Sequence, residues 1–248
     1  MGTKEKTVWF CTNCGNESPK WMGRCPACGE WNTMAEQTLV TGKPSRNSSI
    51  SSSAPASGNR PLHLKDIDAS AENRLSLGLT EVDRLLGGGI VKGSLVLIGG
   101  EPGIGKSTLS LQIPLGSPGL KTLYVSGEES ARQVKMRADR LGGDNSNCFI
   151  FSETDINNII AQADALKPDL MVVDSVQTMF SPNVDSSAGS VTQIKEVTAI
   201  LLHFAKMSGI PVILIGHITK DGYIAGPKIL EHIVDVVLQF EGDNKGAY

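Results

Sequence analysis

Residues 99–108 carry the densest chemistry in the sequence. Gly100, Glu101, Pro102, Gly103, Ile104, Gly105, Lys106 and Ser107, with Thr108 next, fit the phosphate-loop pattern G-x-x-x-x-G-K-[ST]. Glycines at 100, 103 and 105 let the backbone turn tightly and aim several N–H groups at one anion. A helix opening at Lys106 adds the partial positive charge of its N-terminus at the same point. In that geometry the Lys106 ammonium reaches the β- and γ-phosphates of a nucleotide, and the Ser107 hydroxyl holds the Mg²⁺ that bridges them. The competing reading is an ordinary glycine turn. A short apolar strand over residues 94–98 and a helical start over 106–113 weigh against it.

The second chemical set is Cys11-Thr12-Asn13-Cys14 and, ten residues later, Cys25-Pro26-Ala27-Cys28. Two C-x-x-C pairs at this spacing read as a four-thiolate tetrahedral site, each pair gripping one edge of the metal. Gly15 and Gly29 follow the second cysteine of each pair and permit the positive φ of a knuckle whose N–H groups face the thiolates. Trp9, Trp21 and Trp31 are expected to supply most of what this unit buries. About 30 residues do not fold on apolar burial alone, so metal binding is expected to fold them. Zinc is the default ion, and four thiolates also accept iron. Two disulfides are the rival reading, which the absence of a secretory signal in residues 1–7 disfavours.

Further polar residues close the apolar runs downstream. Asp174 follows Leu170-Met171-Val172-Val173 as the acidic residue that pairs with a phosphate loop and orients Mg²⁺ through water. Glu128 and Glu129 follow the run ending at Val125-Ser126-Gly127, and one of them is placed to polarise the attacking water; Glu128 is the candidate base. The alternative is that both acids merely favour the N-terminus of the next helix. His217 ends another apolar run, where it either senses a phosphate or a neighbouring residue, or is a structural histidine. Cys148, the fifth cysteine, opens an apolar strand and reads as packing.

The elements that must position these groups alternate. Strands are expected over 121–125, 148–151, 170–173, 212–215 and 236–240, with helices over about 130–141, 155–166 and 191–207. Such βαβ alternation predicts an α/β domain with a mostly parallel sheet and ligands at the strand C-terminal ends. Upstream, residues 80–86 read as a short capped helix ending at Gly87-Gly88-Gly89. Three segments follow: a four-cysteine zinc ribbon over 1–37, a Ser-rich flexible linker over 38–61, and the core over 62–248. Across 248 residues the net charge is −3, which excludes a generally basic nucleic-acid coat. No apolar run of about 18 residues exists, so no membrane span is expected, and with a phosphate loop and paired cysteines at metal spacing a reducing cytoplasm is the natural setting.

The order of ribbon, linker, phosphate loop, Tyr124-Val125-Ser126-Gly127-Glu128-Glu129-Ser130, Val173-Asp174-Ser175-Val176-Gln177-Thr178 and the string from Gly216-His217 to Gly226-Pro227-Lys228 closely resembles the RadA (Sms) family of bacterial DNA-repair proteins. The match covers nearly the whole chain except the linker, and the last string, with Leu230-Glu231-His232 after it, is its most specific part. The resemblance implies a RecA-like P-loop NTPase core that hydrolyses ATP with Mg²⁺, binds single-stranded DNA, processes branched recombination intermediates and tends to form rings. It also implies that 177–190 and 217–229 are DNA-facing loops, with Lys220 and Lys228 as DNA-binding cations. The family continues with a Lys-Asn-Arg-Phe-Gly motif and a Lon-protease-like domain, so a truncated form is expected. Where the family has a longer helix, Pro114 is expected to end this one after about two turns. Two other classes compete: a nucleotide-dependent switch of the KaiC kind, whose Gly-rich entry into the phosphate loop looks similar, and a catalytically dead binding module.

Overall fold

The computed structural model describes residues 5–11, 17–40, 63–66, 74–144, 146–217 and 230–241. The described residues up to Asp66 belong to one compact unit and those from Arg74 to a second. Cys14 and Gly15, residues 41–61 of the expected linker, and Lys220 and Lys228 lie outside the described residues.

In the first unit, β1 (Glu5–Cys11), β2 (Glu17–Ser18) and β3 (Met34–Val40) form an antiparallel sheet in the order β2-β1-β3. Strand β3 pairs with β1 along its whole length, from Cys11↔Met34 to Glu5↔Val40. Thr38 to Val40 are therefore strand, where composition alone starts the linker at Thr38. The tryptophans do not form the expected core. Trp21 is 56% and Trp31 68% exposed, while Cys11, Cys25 and Met34 are buried. A unit this small encloses few side chains, and the Arg24 guanidinium instead stacks over the exposed Trp31 at 5.9 Å.

The second unit is a six-stranded, fully parallel sheet made of β4 (Leu95–Gly100), β5 (Thr122–Ser126), β6 (Cys148–Ser152), β7 (Leu170–Asp174), β8 (Val212–His217) and β9 (Val236–Phe240), in the order β6-β5-β7-β8-β4-β9. Helices α1 (Thr80–Leu85), α2 (Lys106–Gly116), α3 (Ala131–Leu141), α4 (Ile156–Leu166) and α5 (Val191–Ser208) connect them. The inner strands read as continuous apolar runs because both of their faces are covered. Leu95, Leu97, Val125 and Leu214 pack with Ile159 of α4 and Leu201 of α5. Val96, Ile98, Tyr124, Val172 and Ile213 face the other way, toward Val82 of α1, Leu111 of α2 and Val134 of α3. The edge strands β6 and β9 are only partly buried.

Two local expectations are corrected. Helix α1 has Leu79 as its N-cap and no side-chain cap; Asp83 reaches back instead, accepting from the Leu77 N–H at 2.8 Å and the Ser76 hydroxyl at 2.6 Å. Helix α2 runs past Pro114 to Gly116, three turns in all. Pro114 falls two residues before the helix end, where its fixed φ is compatible and the one hydrogen bond it removes is to the Ser110 carbonyl. Among the described residues, no helix is long and apolar enough to cross a membrane.

Candidate functional site

A parallel sheet brings its strand C-termini to one edge, and here the register makes that edge explicit. Gly100 lies beside His217, and Ser126 beside Asp174. Side chains alternate along β7, so Asp174 falls on the same face as Val172, the face covered by α2 and α3. The phosphate loop between β4 and α2 therefore opens next to Asp174.

The loop is built for an anion. Gly105, at φ +110°, is the N-cap of α2, and it offers no side chain to the first-turn N–H groups. The other long helices are capped. Ser130 and Gln133 form a capping box on α3, Asp155 caps α4 through the Asn157 N–H, and Ser190 caps α5 through the Gln193 N–H. The Lys106 side chain is buried, 3% exposed, and donates to the Gly100 and Glu101 carbonyls at 2.8 Å each. Burial pushes its ammonium below the ordinary lysine range, against the opposing pull of the Asp174 and Glu128 carboxylates.

Glu128 stands at the same edge. Gly127 is required there, because a Cβ would collide with the Thr178 side chain; its N–H donates to the Asp174 carbonyl at 2.9 Å. That close approach delivers Glu128 to Ser175, whose hydroxyl donates to Glu128 Oε1 at 2.5 Å, with His217 Nε2 at 3.3 Å from the same oxygen. The Glu128 side chain remains 45% exposed. Gln177 donates to the His217 carbonyl at 3.3 Å, and Gln177 Oε1 and His217 Nδ1 are buried without a hydrogen-bond partner among the described residues.

Glu129 turns away from this cluster. It pairs with Arg137 of α3 at 2.6 Å, and Arg137 Nη2 also lies 3.5 Å from the Tyr124 hydroxyl. Tyr124 in turn donates to Asp174 Oδ2 at 2.7 Å. Sequence reasoning missed Tyr124, Ser175 and Arg137 as parts of this site. A tyrosine in the middle of a buried strand was the available signal, since its hydroxyl must find a partner. Which partner depends on the β5–β7 register, which the sequence does not display.

The oxygen set fits Mg²⁺. Asp174 Oδ1 and the Ser107 hydroxyl accept or donate no hydrogen bond among the described residues, so a carboxylate and a hydroxyl remain for a hard cation. The structure thus brings Lys106, Glu128 and Asp174 together beside the residue 100–108 loop.

In the first unit, the sulfurs of Cys11, Cys25 and Cys28 all lie within 4.8 Å of one another. Cys11 Sγ and Cys28 Sγ are 3.6 Å apart, near the edge of about 3.8 Å that a tetrahedron with metal–sulfur bonds of about 2.3 Å requires. Cys11 Sγ also lies 3.2 Å from Thr33 Oγ1. Gly29 takes the expected positive φ, +78°, and its N–H donates to the Cys25 carbonyl at 2.9 Å. Three thiols converge on one point, and Cys14, the fourth expected ligand, lies outside the described residues.

Comparison with known proteins agrees with this geometry. A family model described as an AAA domain matches residues 58–223, and one described as a rubredoxin metal binding domain matches residues 9–36. The chain is 49% identical to DNA repair protein RadA of Bacillus subtilis (strain 168) over 247 residues, covering 99% of this chain and 54% of that protein. It is also 49% identical to DNA repair protein RadA of Chlamydia trachomatis over 250 residues, covering 100% of this chain and 54% of that one. For DNA repair protein RadA of Listeria monocytogenes the identity is 46% over 247 residues, covering 99% and 53%. The chain spans about half the length of the curated relatives it matches. With a phosphate loop, a parallel α/β sheet and a cysteine ribbon in the expected order, the chain belongs to the AAA domain family and is RadA-like over its whole length.

Proposed function

We propose that this chain binds ATP with Mg²⁺ at the C-terminal edge of its sheet and hydrolyses it in response to DNA, as part of recombinational repair on single-stranded or branched DNA. One observation carries the nucleotide reading: of the four long helices among the described residues, α2 alone opens on a glycine with no side-chain cap, and Lys106, Asp174 and Glu128 surround that opening. Phosphate oxygens accept the N–H groups that Gly105 leaves uncapped. Lys106 would exchange the neutral Gly100 and Glu101 carbonyls for charged phosphate oxygens, which make the stronger, charge-assisted contacts. Ser107 and Asp174 would hold Mg²⁺, which neutralises charge across the β- and γ-phosphates when bound. Glu128 is the candidate base: Ser175 steadies Oε1, while Oε2 accepts no hydrogen bond among the described residues and is left to take a proton from water.

The DNA part rests on the relatives, whose names identify them as DNA repair proteins. Lys220 and Lys228 are the proposed phosphate contacts on DNA, and a homo-oligomeric ring is the proposed assembly. In the ribbon, Cys11, Cys14, Cys25 and Cys28 are the proposed zinc ligands, on the convergence of three of them. The test is ATP hydrolysis measured with and without single-stranded DNA. Turnover that rises with DNA supports the proposal. Slow turnover indifferent to DNA points to a nucleotide switch, and no turnover with ATP still bound points to a binding module.

A further inference from the structure

Asp174 is 5% exposed, and among the described residues Tyr124 makes the only hydrogen bond to its carboxylate. Tyr124 is fully buried in the second strand of the sheet, paired in register with Val172, two residues before Asp174 on the same face. Its ring fills space between the sheet and the helices α2 and α3, so the hydroxyl cannot swing to another acceptor without displacing core residues. Arg137, itself tied to Glu129 at 2.6 Å, stands 3.5 Å behind the phenol oxygen on α3. The chain of contacts Glu129–Arg137–Tyr124–Asp174 thus runs from the far end of the β5–α3 connection to the carboxylate.

We infer that Tyr124 is the positioning residue of the magnesium site: it holds Asp174 Oδ2, fixes the rotamer of the carboxylate, and so presents Oδ1 toward the phosphate loop. This rests on the nucleotide reading proposed above. A fixed carboxylate is worth more to a metal than a free one, because the ordering cost is met when the protein folds rather than when the cation arrives. The phenol suits the task because its buried ring is held between the sheet and the helices, so the hydroxyl meets Oδ2 at 2.7 Å from one fixed direction. A simpler account treats the pair as a buried hydroxyl finding a partner, with no bearing on the metal.

The test is Tyr124→Phe in the full chain, which keeps the ring and removes the donor. Binding of a fluorescent ATP analogue is titrated first in EDTA and then with increasing Mg²⁺, alongside thermal unfolding. If Tyr124 positions the site, affinity in EDTA stays within about twofold of wild type, while the Mg²⁺ midpoint rises about tenfold, the effect of losing one hydrogen bond to a charged group. An unchanged Mg²⁺ midpoint with a lower melting temperature overturns the inference in favour of the simpler account. Loss of binding in EDTA by the variant alone also overturns it, since the defect then lies in the fold. If wild type binds no analogue under either condition, the nucleotide reading itself fails, a distinct result under which the inference falls as well.

Discussion

Two adjacent acids with different surroundings make the sharpest test of the site. Glu128→Gln keeps the side-chain shape, and its amide oxygen still accepts the Ser175 hydroxyl that Glu128 Oε1 accepts at 2.5 Å. At 45% exposure, that change should alter stability by no more than about 0.5 kcal/mol. Lost general-base assistance lowers kcat by about 10²- to 10⁴-fold, or roughly 3–5 kcal/mol in the barrier. ATP binding should be preserved, because the 100–108 loop is untouched. Glu129→Gln does the opposite. It breaks a 2.6 Å ion pair with Arg137, whose side chain is only 14% exposed against 35% for Glu129, so the cost lies between that of an exposed pair and a buried one, about 1–2 kcal/mol of stability. Its kcat should fall only a few-fold. Steady-state hydrolysis, analogue binding and thermal unfolding of both variants decide the matter. Equal losses of kcat, loss of ATP binding in Glu128→Gln, or a kcat defect in Glu129→Gln without a lower melting temperature would each refute the division of roles.

Three other outcomes are expected. Lys106→Ala should leave the fold intact and abolish productive ATP binding, since it deletes the buried ammonium of the loop; hydrolysis within about threefold of wild type, a barrier change under about 1 kcal/mol, would contradict the site. Reduced protein should carry one zinc per chain by elemental analysis, and a strong chelator should change tryptophan emission while sparing ATP binding, because all three tryptophans, Trp9, Trp21 and Trp31, belong to the ribbon; metal-free protein with unaltered emission would sink this. Lys220→Ala and Lys228→Ala should weaken single-stranded DNA binding about equally for all sequences and flatten its salt dependence without changing ATP affinity, and superimposable salt slopes for wild type and both variants would rule out a phosphate role.

The parallel α/β core was legible because its strands are short apolar runs with both faces covered, and each run from 121–125 to 236–240 forms a strand within two residues of its expected place. The phosphate loop was equally legible, as chemistry and local structure coincide over residues 99–108. Contacts between distant strands were not. Tyr124 and Asp174 are 50 residues apart, and Ser175 and Glu128 are 47 apart. Period-two alternation says which face each side chain takes, but only the strand order places β5 against β7. The ribbon misled for a different reason. Three tryptophans in a short segment look like a core, yet Trp21 and Trp31 lie on the surface, while the buried side chains include Cys11, Cys25 and Met34. At Pro114 the residue type alone signals a helix break, and only its position, two residues before the end of α2, makes it tolerable.

Helix caps bear directly on what Glu128 and Glu129 are for. Acids before a helix often serve its N-terminus, and that reading predicts a carboxylate on the first-turn N–H groups of α3. The Ser130 side chain accepts there instead, from the Gln133 N–H, and Gln133 returns the bond to the Ser130 N–H. Glu129 lies on Arg137, and Glu128 lies on Ser175 and His217 across the strand edge. Neither acid is needed as a cap. At α2 the logic inverts: the first turn has neither a capping side chain nor an acidic residue, and its carbonyl-bound lysine is held among carboxylates. One helix satisfies its own N-terminus and leaves two acids for other work, while the other leaves its N-terminus uncapped by any side chain, open to the proposed anion. The two helices face the same side of the sheet, so Glu128, freed at the first, stands beside the proposed anion site at the second.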